Sequence, residues 1–246
     1  MRMIPDKEPK TYDETPRVPM TEETLRAAMP DVTQDQADKF VKYYNLLLKW
    51  NAKVNLTRIT LPEEVAQKHF ADSVLGASLI PEGARVVDVG TGAGFPGVPL
   101  KIVRPDIELV LVDSLGKRIN FLRELCGAIG VDAETIHARA EDAARDPKLR
   151  EGFDIALSRA VAPMNILTEL TLPFVKVGGA SLMYKGSGAA EEIAASENAF
   201  RELNCAAEPI AFDVPWGARS IVAARKLAPT KKKYPRKAGF VEKAPL

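Results

Sequence analysis

The residues with the clearest chemical potential form a glycine-rich turn that follows a β-branched run. Residues 87–97 read Val-Asp-Val-Gly-Thr-Gly-Ala-Gly-Phe-Pro-Gly, so that Gly90, Gly92 and Gly94 are spaced two apart. Glycine lets the backbone approach a ligand closely, and a helix that starts there presents unpaired N–H groups to it. Gly92, Gly94 and Gly97 also match the spacing of a dinucleotide-binding turn, a pattern that is weak by itself. The turn therefore predicts a site for a nucleotide-like ligand.

Acidic residues near this turn narrow the choice of ligand. Asp88 stands two residues before Gly90, and the resulting D-x-G-x-G-x-G pattern is that of S-adenosylmethionine-dependent methyltransferases. Asp113 ends the next predicted strand, where such folds place an acid on ribose hydroxyls, although either cofactor fits it and structural capping is the alternative. Glu141, in the segment 138–142 after the third strand, is either placed against an adenine or solvated at a helix start. Asp88 is the residue that favours S-adenosylmethionine over a nicotinamide dinucleotide.

Missing motifs constrain the reaction. After the fourth predicted strand the sequence reads Ser158-Arg-Ala-Val-Ala-Pro163, without the Asn-Pro-Pro-aromatic tetrad used on exocyclic amines or the Pro-Cys nucleophile used on pyrimidine carbon-5. This favours a nucleophile that needs no activation, such as guanine N7, which has a lone pair and no proton. Alignment and exclusion of water would then suffice, so we expect no general acid or base. Arg159 and Lys185, at the ends of the fourth and fifth strands, are the residues expected to orient the base or its phosphate.

Basic residues are concentrated in two further places. Lys117, Arg118 and Arg123 follow Asp113 on a predicted helix and are placed to bind phosphates around a splayed-out guanine, or are the surface charges of an amphipathic helix. Residues 225–246 contain eight basic residues and one acid; because the whole chain carries +1, the preceding 224 residues carry −6. This tail favours a polyanionic partner, with solubility as the alternative. The tail residues expected to bind RNA are Lys231, Lys232, Lys233, Arg236 and Lys237.

Five other candidate residues lie upstream of the glycine-rich turn. His69 and Asp72 are three residues apart on one predicted helical face, where they could hydrogen-bond to each other or cap the crevice. For His69, a lone histidine without metal-ligand company, a structural role is favoured. Trp50 could stack on a base, but its spacing with neighbouring apolar residues favours the core. Asn51 and Asn55 are expected to fix the end of the helix that contains Trp50.

The elements that must position these residues alternate between strands and helices. Five short apolar runs predict strands at 85–89, 108–112, 133–137, 153–157 and 180–184, and a hairpin is predicted over 208–214 and 219–224. Upstream, a capping box at 33–36 starts one helix, and a second helix is expected from about residue 60 to 79. We predict an α/β fold: a doubly wound, mostly parallel, seven-stranded Rossmann-like sheet with an N-terminal helical extension. The predicted divisions are a flexible leader (1–19), a helical cap (20–80), the S-adenosylmethionine-binding methyltransferase domain (81–228) and the basic tail (229–246).

Composition agrees with one large globular unit. The chain has 246 residues, of which 46% are apolar and 27% charged. The two cysteines, Cys126 and Cys205, are far apart and lack metal-ligand spacing, so we expect no metal and a reducing compartment. The N-terminus lacks the apolar stretch of a signal peptide, and no apolar run approaches the ~18 residues of a membrane helix. We therefore expect a cytoplasmic protein with no membrane partner.

Taken together, these motifs resemble those of a known family. From about Tyr43 to the C-terminus the sequence is similar to the bacterial 16S ribosomal RNA guanine-N7 methyltransferase G family, RsmG, also called glucose-inhibited division protein B. The resemblance rests on the order and spacing of several motifs: Trp50-Asn51 with Asn55-Leu-Thr57, His69-Phe-Ala-Asp-Ser73, Asp88-Val-Gly-Thr-Gly-Ala-Gly-Phe-Pro-Gly97, Asp113-Ser-Leu-Gly-Lys-Arg118 with Phe121-Leu122, Ser158-Arg-Ala160, Lys185-Gly186 and Lys233-Tyr-Pro-Arg-Lys237.

The resemblance implies an activity, a cofactor and a substrate. It implies S-adenosylmethionine contacts at Gly90, Phe95, Asp113, Ala140, Glu141 and Arg159, to which the glycine pattern adds Gly92 and Gly94. The implied substrate is one guanine of 16S rRNA, presented in the small ribosomal subunit or an assembly intermediate, and we expect the enzyme to be a monomer. Three alternatives remain open: a small-molecule methyltransferase of the same fold, a nicotinamide-dependent oxidoreductase, and a protein that only holds RNA.

Overall fold

The computed structural model describes residues 18–246, and within them seven strands form one sheet. The strands are β1 (Arg85–Val89), β2 (Glu108–Asp113), β3 (Glu134–His137), β4 (Phe153–Arg159), β5 (Val175–Lys185), β6 (Cys205–Phe212) and β7 (Arg219–Lys226). Their order is β3-β2-β1-β4-β5-β7-β6. Strands β1 to β5 are parallel, and β7 pairs antiparallel with both β5 and β6. The predicted mostly parallel, seven-stranded sheet is confirmed.

Helices pack on both faces of this sheet. The helices of the described segment are α1 (Glu22–Ala28), α2 (Gln34–Val54), α3 (Pro62–Val65), α4 (Asp72–Val74), α5 (Gly97–Val103), α6 (Gly116–Ile129), α7 (Ala140–Ala143), α8 (Met164–Thr171), α9 (Ala189–Ala194), α10 (Glu197–Glu202) and α11 (Phe240–Lys243). Side chains alternate along β1, so Val86 packs in one core with α2, α5 and α6, whereas Val87 packs in another with α7.

The strand order reverses between β1 and β4, which are neighbours in the sheet but not in the chain. In a doubly wound fold, a crevice opens at the carboxyl ends of the strands beside such a reversal. Four of the predicted site residues, or their immediate neighbours, lie along this edge because β1, β2, β4 and β5 end at Val89, Asp113, Arg159 and Lys185. The topology therefore brings together residues that are almost 100 positions apart in the sequence.

The N-terminal helices share one core with the sheet. The predicted capping box is confirmed: the Thr33 hydroxyl accepts from the Gln36 N–H (3.3 Å), and Gln36 Oε1 accepts from the Thr33 N–H (2.9 Å). Helix α2 ends at Val54 and is capped by Asn55 in a left-handed conformation (φ 49°), and Asn51 Oδ1 accepts from the Thr57 N–H (2.8 Å). Both asparagines therefore fix this helix end, as predicted.

The second predicted helix differs from the expectation. Its first residue is Pro62, its cap residue Leu61 makes no side-chain capping bond, and its middle is a π-helical turn over Ala66–Ala71. A 3₁₀ turn at Ala77–Leu79 follows α4 as a separate piece. The Tyr44 hydroxyl donates a hydrogen bond to the Thr60 backbone carbonyl (3.0 Å). This bond joins the start of the segment to α2.

Two further observations complete the architecture. Within residues 18–246, no helix combines the length and apolarity needed to cross a membrane. In the same residues, no group of three or more His, Cys, Asp or Glu side chains is arranged to hold a metal ion. The predicted leader lies, except for residues 18 and 19, outside the described residues.

Candidate active site

Asp88 holds the glycine-rich turn in shape. Its Oδ2 accepts hydrogen bonds from the Thr91 hydroxyl (2.7 Å) and the Gly97 N–H (3.0 Å). Its Oδ1 is buried and has no hydrogen-bond partner within the described residues. Burial raises the pKa of Asp88 to about 6, although the two hydrogen bonds act in the opposite direction. Asp88 therefore belongs to the framework of the turn.

Asp113 lines a cleft at the carboxyl edge of the sheet. Its Oδ2 accepts from the Gly92 N–H (2.9 Å) and from Arg118 (3.3 Å), and its Oδ1 accepts from the Leu115 N–H (2.9 Å). We name this cleft, of about 370 Å³, the Asp113 cleft; its lining includes Gly90, Asp113, Ala140, Glu141, Ala160 and Glu242. The structure thus brings together four of the predicted cofactor residues: Gly90, Asp113, Ala140 and Glu141.

Gly90 allows the wall of this cleft to come close. Its φ is +71°, and a Cβ at this position would lie 2.8 Å from Cγ2 of Val161, closer than real Cβ atoms approach. Val161 lies in the loop after β4 and also lines the cleft. A larger residue at position 90 would therefore push the two loops apart.

A second cleft, also of about 370 Å³, lies beside the first and shares Ala160 with it. We name it the Arg159 cleft; its lining includes Asp72, Arg159, Ala160, Lys185, Glu192 and Arg219. Asp72 Oδ2 accepts from Arg159 (3.1 Å), while Oδ1 accepts from Arg219 Nε (2.6 Å) and Trp216 Nε1 (3.2 Å). One buried carboxylate therefore joins α4, the end of β4 and the β6–β7 hairpin.

The Arg159 guanidinium packs against a stack of aromatic rings. Phe95 lies between His69 and Tyr43, with ring centroids 4.4 and 5.3 Å away, and the Arg159 guanidinium lies 5.0 Å from the Phe95 centroid. Burial, with Arg159 as a second cause, lowers the pKa of His69 to about 3, so this imidazole is neutral. His69 Nε2 is 2.7 Å from the Thr57 hydroxyl.

A hydrogen bond between His69 and Asp72, one of the two alternatives for this pair, is absent from the described residues. The ring of His69 contacts Thr57, Phe95 and Arg159, because Asp72 is already bound by arginines from β4 and β7. The predicted structural role for His69 agrees with its stacked, neutral state. Trp50 packs edge-on against Phe121 at 5.9 Å between centroids, which agrees with a core position.

Gly94 and Phe95 face the N-terminal helices and are not among the residues that line the Asp113 cleft. A Cβ at Gly94 would lie 2.6 Å from the Tyr43 hydroxyl, so this glycine lets α2 approach the turn. The Tyr43 hydroxyl donates to the Ala93 carbonyl. Gly92 contributes its N–H to Asp113, and Arg159 lines the second cleft only. These four predicted cofactor residues are therefore not part of the lining of the Asp113 cleft.

Lys185 also lines the Arg159 cleft. Its Nζ donates to Glu192 Oε2 (2.7 Å) and to the Ala162 carbonyl (3.2 Å). Glu192 Oε2 in addition accepts from the Met164 N–H (2.9 Å). Lys185 and Glu192 form one fixed pair at the end of β5.

The predicted RNA-binding residues fall into two groups. Lys117 is exposed at the start of α6, Arg118 contacts Asp113, and Arg123 donates to the Thr135 hydroxyl (3.0 Å). In the tail, Lys231 and Lys233 both contact Glu202 at 3.2 Å, whereas Lys232 and Lys237 are exposed without a side-chain contact among the described residues. Apart from Arg118, these cations remain open to solvent.

Arg236 differs from the other tail cations because it pairs with a buried acid. Its guanidinium binds both oxygens of Glu169, a fully buried carboxylate, at distances from 2.6 to 3.1 Å, and its backbone N–H also donates to Glu169. This bidentate pair fixes the tail to α8. Arg236 therefore has a structural role within the fold, and its contact with RNA stays a prediction.

Three cleft residues were not predicted from the sequence. Arg219 begins β7 directly after the predicted hairpin turn, and a cation at the start of an apolar strand is a weak signal for it. Glu192 follows Lys185 by seven residues, across a loop whose shape no local pattern reveals. Glu242 reaches the Asp113 cleft because Val241 packs against Ile166 and Leu170 of α8. Such a long-range contact has no signature in the sequence.

The fold and the site define a class of protein. The structure resembles a methyltransferase from Pyrococcus furiosus (TM-score 0.53, 11% identity, 78% of this chain and 100% of that one). It also resembles an S-adenosylmethionine-dependent O-methyltransferase from Thermotoga maritima (TM-score 0.50, 13% identity, 77% and 73%). With a strand–glycine turn–helix unit and an acid at the end of β2, the chain has the fold of the S-adenosylmethionine-dependent methyltransferases.

Sequence comparisons identify the family within this class. The family model for rRNA small subunit methyltransferase G matches residues 36–212. Ribosomal RNA small subunit methyltransferase G of Desulfitobacterium hafniense is 47% identical over 220 residues, covering 88% of this chain and 92% of the relative. The protein of the same name from Clostridium perfringens is 46% identical over 222 residues, covering 88% and 93%. The chain belongs to the rRNA small subunit methyltransferase G family.

Proposed function

We propose that this enzyme transfers a methyl group from S-adenosylmethionine to N7 of one guanine in 16S rRNA of the small ribosomal subunit. The observation that carries the proposal is the pair of clefts that meet at Ala160. One is suited to the cofactor and the other to a base, and because Ala160 lines both, the two ligands would lie next to each other. Family membership supplies the rRNA of the small subunit as the substrate class.

The Asp113 cleft fits S-adenosylmethionine by its chemistry. Asp113 and Glu141 are only 2% and 5% exposed, yet both line the cleft, and Glu141 makes no side-chain hydrogen bond within the described residues. Buried carboxylates that face a cleft suit the hydroxyl and amino donors of an adenosine. The approach of Val161 to Gly90 leaves a narrow slot next to these acids. Gly90, Asp113, Ala140 and Glu141 would hold the cofactor there.

The chain's residues align the reactants and exclude water. When bound, the cofactor supplies the methyl group, which bonds to the lone pair of N7 as the bond between the methyl carbon and sulfur breaks. Sulfur keeps the electron pair of the broken bond, and no proton moves. The described residues of the Arg159 cleft accordingly provide no free base: Asp72 and Glu192 are ion-paired, and neighbouring His69 is neutral and hydrogen-bonded. Arg159, held by Asp72 and Phe95, is a rigid donor for the base or its phosphate.

Exposed cations on α6 and in the tail would bind the RNA backbone. Lys117 and Arg123 lie on α6, which starts beside the Asp113 cleft, and the tail contributes Lys231, Lys232, Lys233 and Lys237. Phosphate contacts of this kind fix orientation without reading sequence. We further propose that the enzyme acts as a monomer without a metal ion, in the bacterial cytoplasm where its ribosomal substrate or an assembly intermediate is found.

A methyl-transfer assay tests this proposal. Labelled S-adenosylmethionine is offered with 16S rRNA, both free and in small subunits from a strain that lacks the modification, and the labelled base is mapped. We expect label at N7 of a single guanine. Cofactor binding without label on either RNA form would reject the rRNA substrate and favour a small-molecule methyltransferase. Label at another atom or base would reject the N7 assignment.

A further inference from the structure

The Lys185–Glu192 pair presents one donor and one acceptor to the Arg159 cleft. Lys185 Nζ has three protons, of which Glu192 Oε2 and the Ala162 carbonyl accept two. Glu192 Oε2 is saturated by Lys185 and the Met164 N–H, whereas Oε1 makes no hydrogen bond with the described residues. One ammonium N–H and one carboxylate oxygen are therefore free, side by side.

This arrangement is fixed before any ligand enters. Lys185 is only 10% exposed and is held at the end of β5 by two contacts, and Glu192 is anchored to the first turn of α8 through Met164. A preorganised, partly buried donor and acceptor recognise a ligand more selectively than mobile surface groups, because a mismatched ligand leaves them unpaired.

From this geometry we infer that Lys185 and Glu192 read the Watson–Crick edge of the target guanine and make the site specific for that base, an inference that rests on the proposed function. Guanine carries an acceptor at O6 and donors at N1 and N2. Lys185 would donate to O6, and Glu192 Oε1 would accept from N1–H and N2–H. O6 lies between N1 and N7, so these contacts leave N7 free on the adjacent edge.

Adenine does not fit the same pair. It carries an amino donor where guanine has O6 and an acceptor at N1, so it would place donor against donor at Lys185 and acceptor against acceptor at Glu192. Lys185 thus recognises O6 of the base, and Glu192 is a second specificity-determining residue. Glu191 serves as a matched control, because it precedes Glu192 on α9, is exposed and makes no side-chain hydrogen bond among the described residues.

The test compares Glu192→Gln and Glu191→Gln on substrates that differ only at the target base. Small subunits are reconstituted with guanine, inosine or 2,6-diaminopurine at the position mapped for the wild-type enzyme. All three bases keep N7. Inosine lacks only the N2 amino group, whereas 2,6-diaminopurine replaces O6 and N1–H with adenine-like groups. Rates of methyl transfer and the affinity for S-adenosylhomocysteine are measured for each protein.

We expect the wild type and Glu191→Gln to prefer guanine to inosine by ~10-fold and to 2,6-diaminopurine by at least ~100-fold, since a bidentate base contact contributes about 1–3 kcal/mol of discrimination. Glu192→Gln should reduce the guanine-to-2,6-diaminopurine ratio by at least ~10-fold without changing the S-adenosylhomocysteine affinity. A purely structural role would slow all three substrates alike and leave the ratio unchanged, and that result would overturn the inference. If the wild type methylates no guanine in the subunit, the proposed function itself fails.

Discussion

Asp88, the acid that distinguishes the glycine-rich turn in the sequence, has a structural role in the fold. It fastens the glycine-rich turn through Thr91 and Gly97 and leaves one buried oxygen without a partner in the described part of the chain. An unpaired buried carboxylate oxygen is costly mainly when the group is charged. The buried environment therefore favours the protonated form of Asp88 more than bulk water would. For this reason the pKa of Asp88 rises to about 6.

This residue predicts a measurable pH dependence. Because the folded pKa of Asp88 lies above its unfolded value of 3.8, its contribution to stability is present below pH 4 and is lost as pH rises through 6. In Asp88→Asn the residue cannot ionise. Relative to wild type, the free energy of unfolding of this variant should improve by roughly 2–3 kcal/mol between pH 4 and pH 7.5. Urea unfolding at both pH values measures it. A difference between the two proteins that does not change with pH would contradict the assignment.

The neutral state of His69 leads to a prediction about the pH dependence of the reaction rate. Its pKa of about 3 keeps it neutral, and guanine N7 loses no proton during the transfer. The rate of a single turnover should therefore change less than about threefold between pH 7 and pH 9. The measurement is the single-turnover rate with small subunits at saturating cofactor. A bell-shaped profile in this range would indicate a general acid or base and would contradict the mechanism.

At the scale of elements, the C-terminal tail is part of the fold. Arg150 donates to the backbone carbonyls of Thr230 and Tyr234, and the Tyr234 hydroxyl donates to Glu202. With the pair of Glu169 and Arg236, these contacts fasten the segment that carries α11 to the Asp113 cleft. The tail therefore serves as a wall of the site as well as a source of cations.

We expect the ion pair between Glu169 and Arg236 to contribute measurably to the free energy of unfolding. Arg236→Ala leaves Glu169 buried without its partner, and breaking a buried pair in this way costs about 3–5 kcal/mol. Adding Glu169→Gln removes the uncompensated charge and should recover part of the loss. Lys237→Ala, at the exposed next residue, is the control and should change the free energy of unfolding by less than about 0.5 kcal/mol. Equal stability of Arg236→Ala and Lys237→Ala in urea would show that the ion pair holds nothing together.

Local patterns predicted most elements. β1 begins and ends at the predicted residues, and the capping box at Thr33 is present because hydrogen bonds only three residues apart define it. The strands β4, β5 and β6 differ in length from the prediction, since pairing with neighbours extends or shifts them. The glycine turn, Asp113 and Lys185 could be predicted for the site. Asp72 as the bridge to Arg219 and the approach of Glu242 could not, because tertiary packing alone creates them.

At the scale of the whole molecule, exposed lysines lie at both edges of the sheet. Lys117 stands at the carboxyl edge, at the start of α6 beside the Asp113 cleft, whereas Lys176 is the second residue of β5, at the opposite edge. Lys117→Ala should weaken binding to small subunits and reduce the slope of log affinity against log salt by about one, as expected for one lost phosphate contact. Lys176→Ala should leave the slope unchanged. Filter binding at several salt concentrations measures both, and identical slopes would place the RNA elsewhere.

In the proposed function the Asp113 cleft binds the cofactor and the Arg159 cleft binds the base. One comparison tests this division most directly. Asp113→Asn and Arg159→Ala are each measured for S-adenosylhomocysteine binding by calorimetry and for single-turnover methyl transfer, after thermal melting has shown that both are folded. We expect Asp113→Asn to weaken S-adenosylhomocysteine by at least ~10-fold, since hydrogen bonds to a charged group contribute about 1.5–3 kcal/mol. Arg159→Ala should bind it within about threefold of wild type while transfer falls by at least ~100-fold. Loss of S-adenosylhomocysteine binding in Arg159→Ala comparable to that in Asp113→Asn would contradict the division and join the two clefts into one cofactor site.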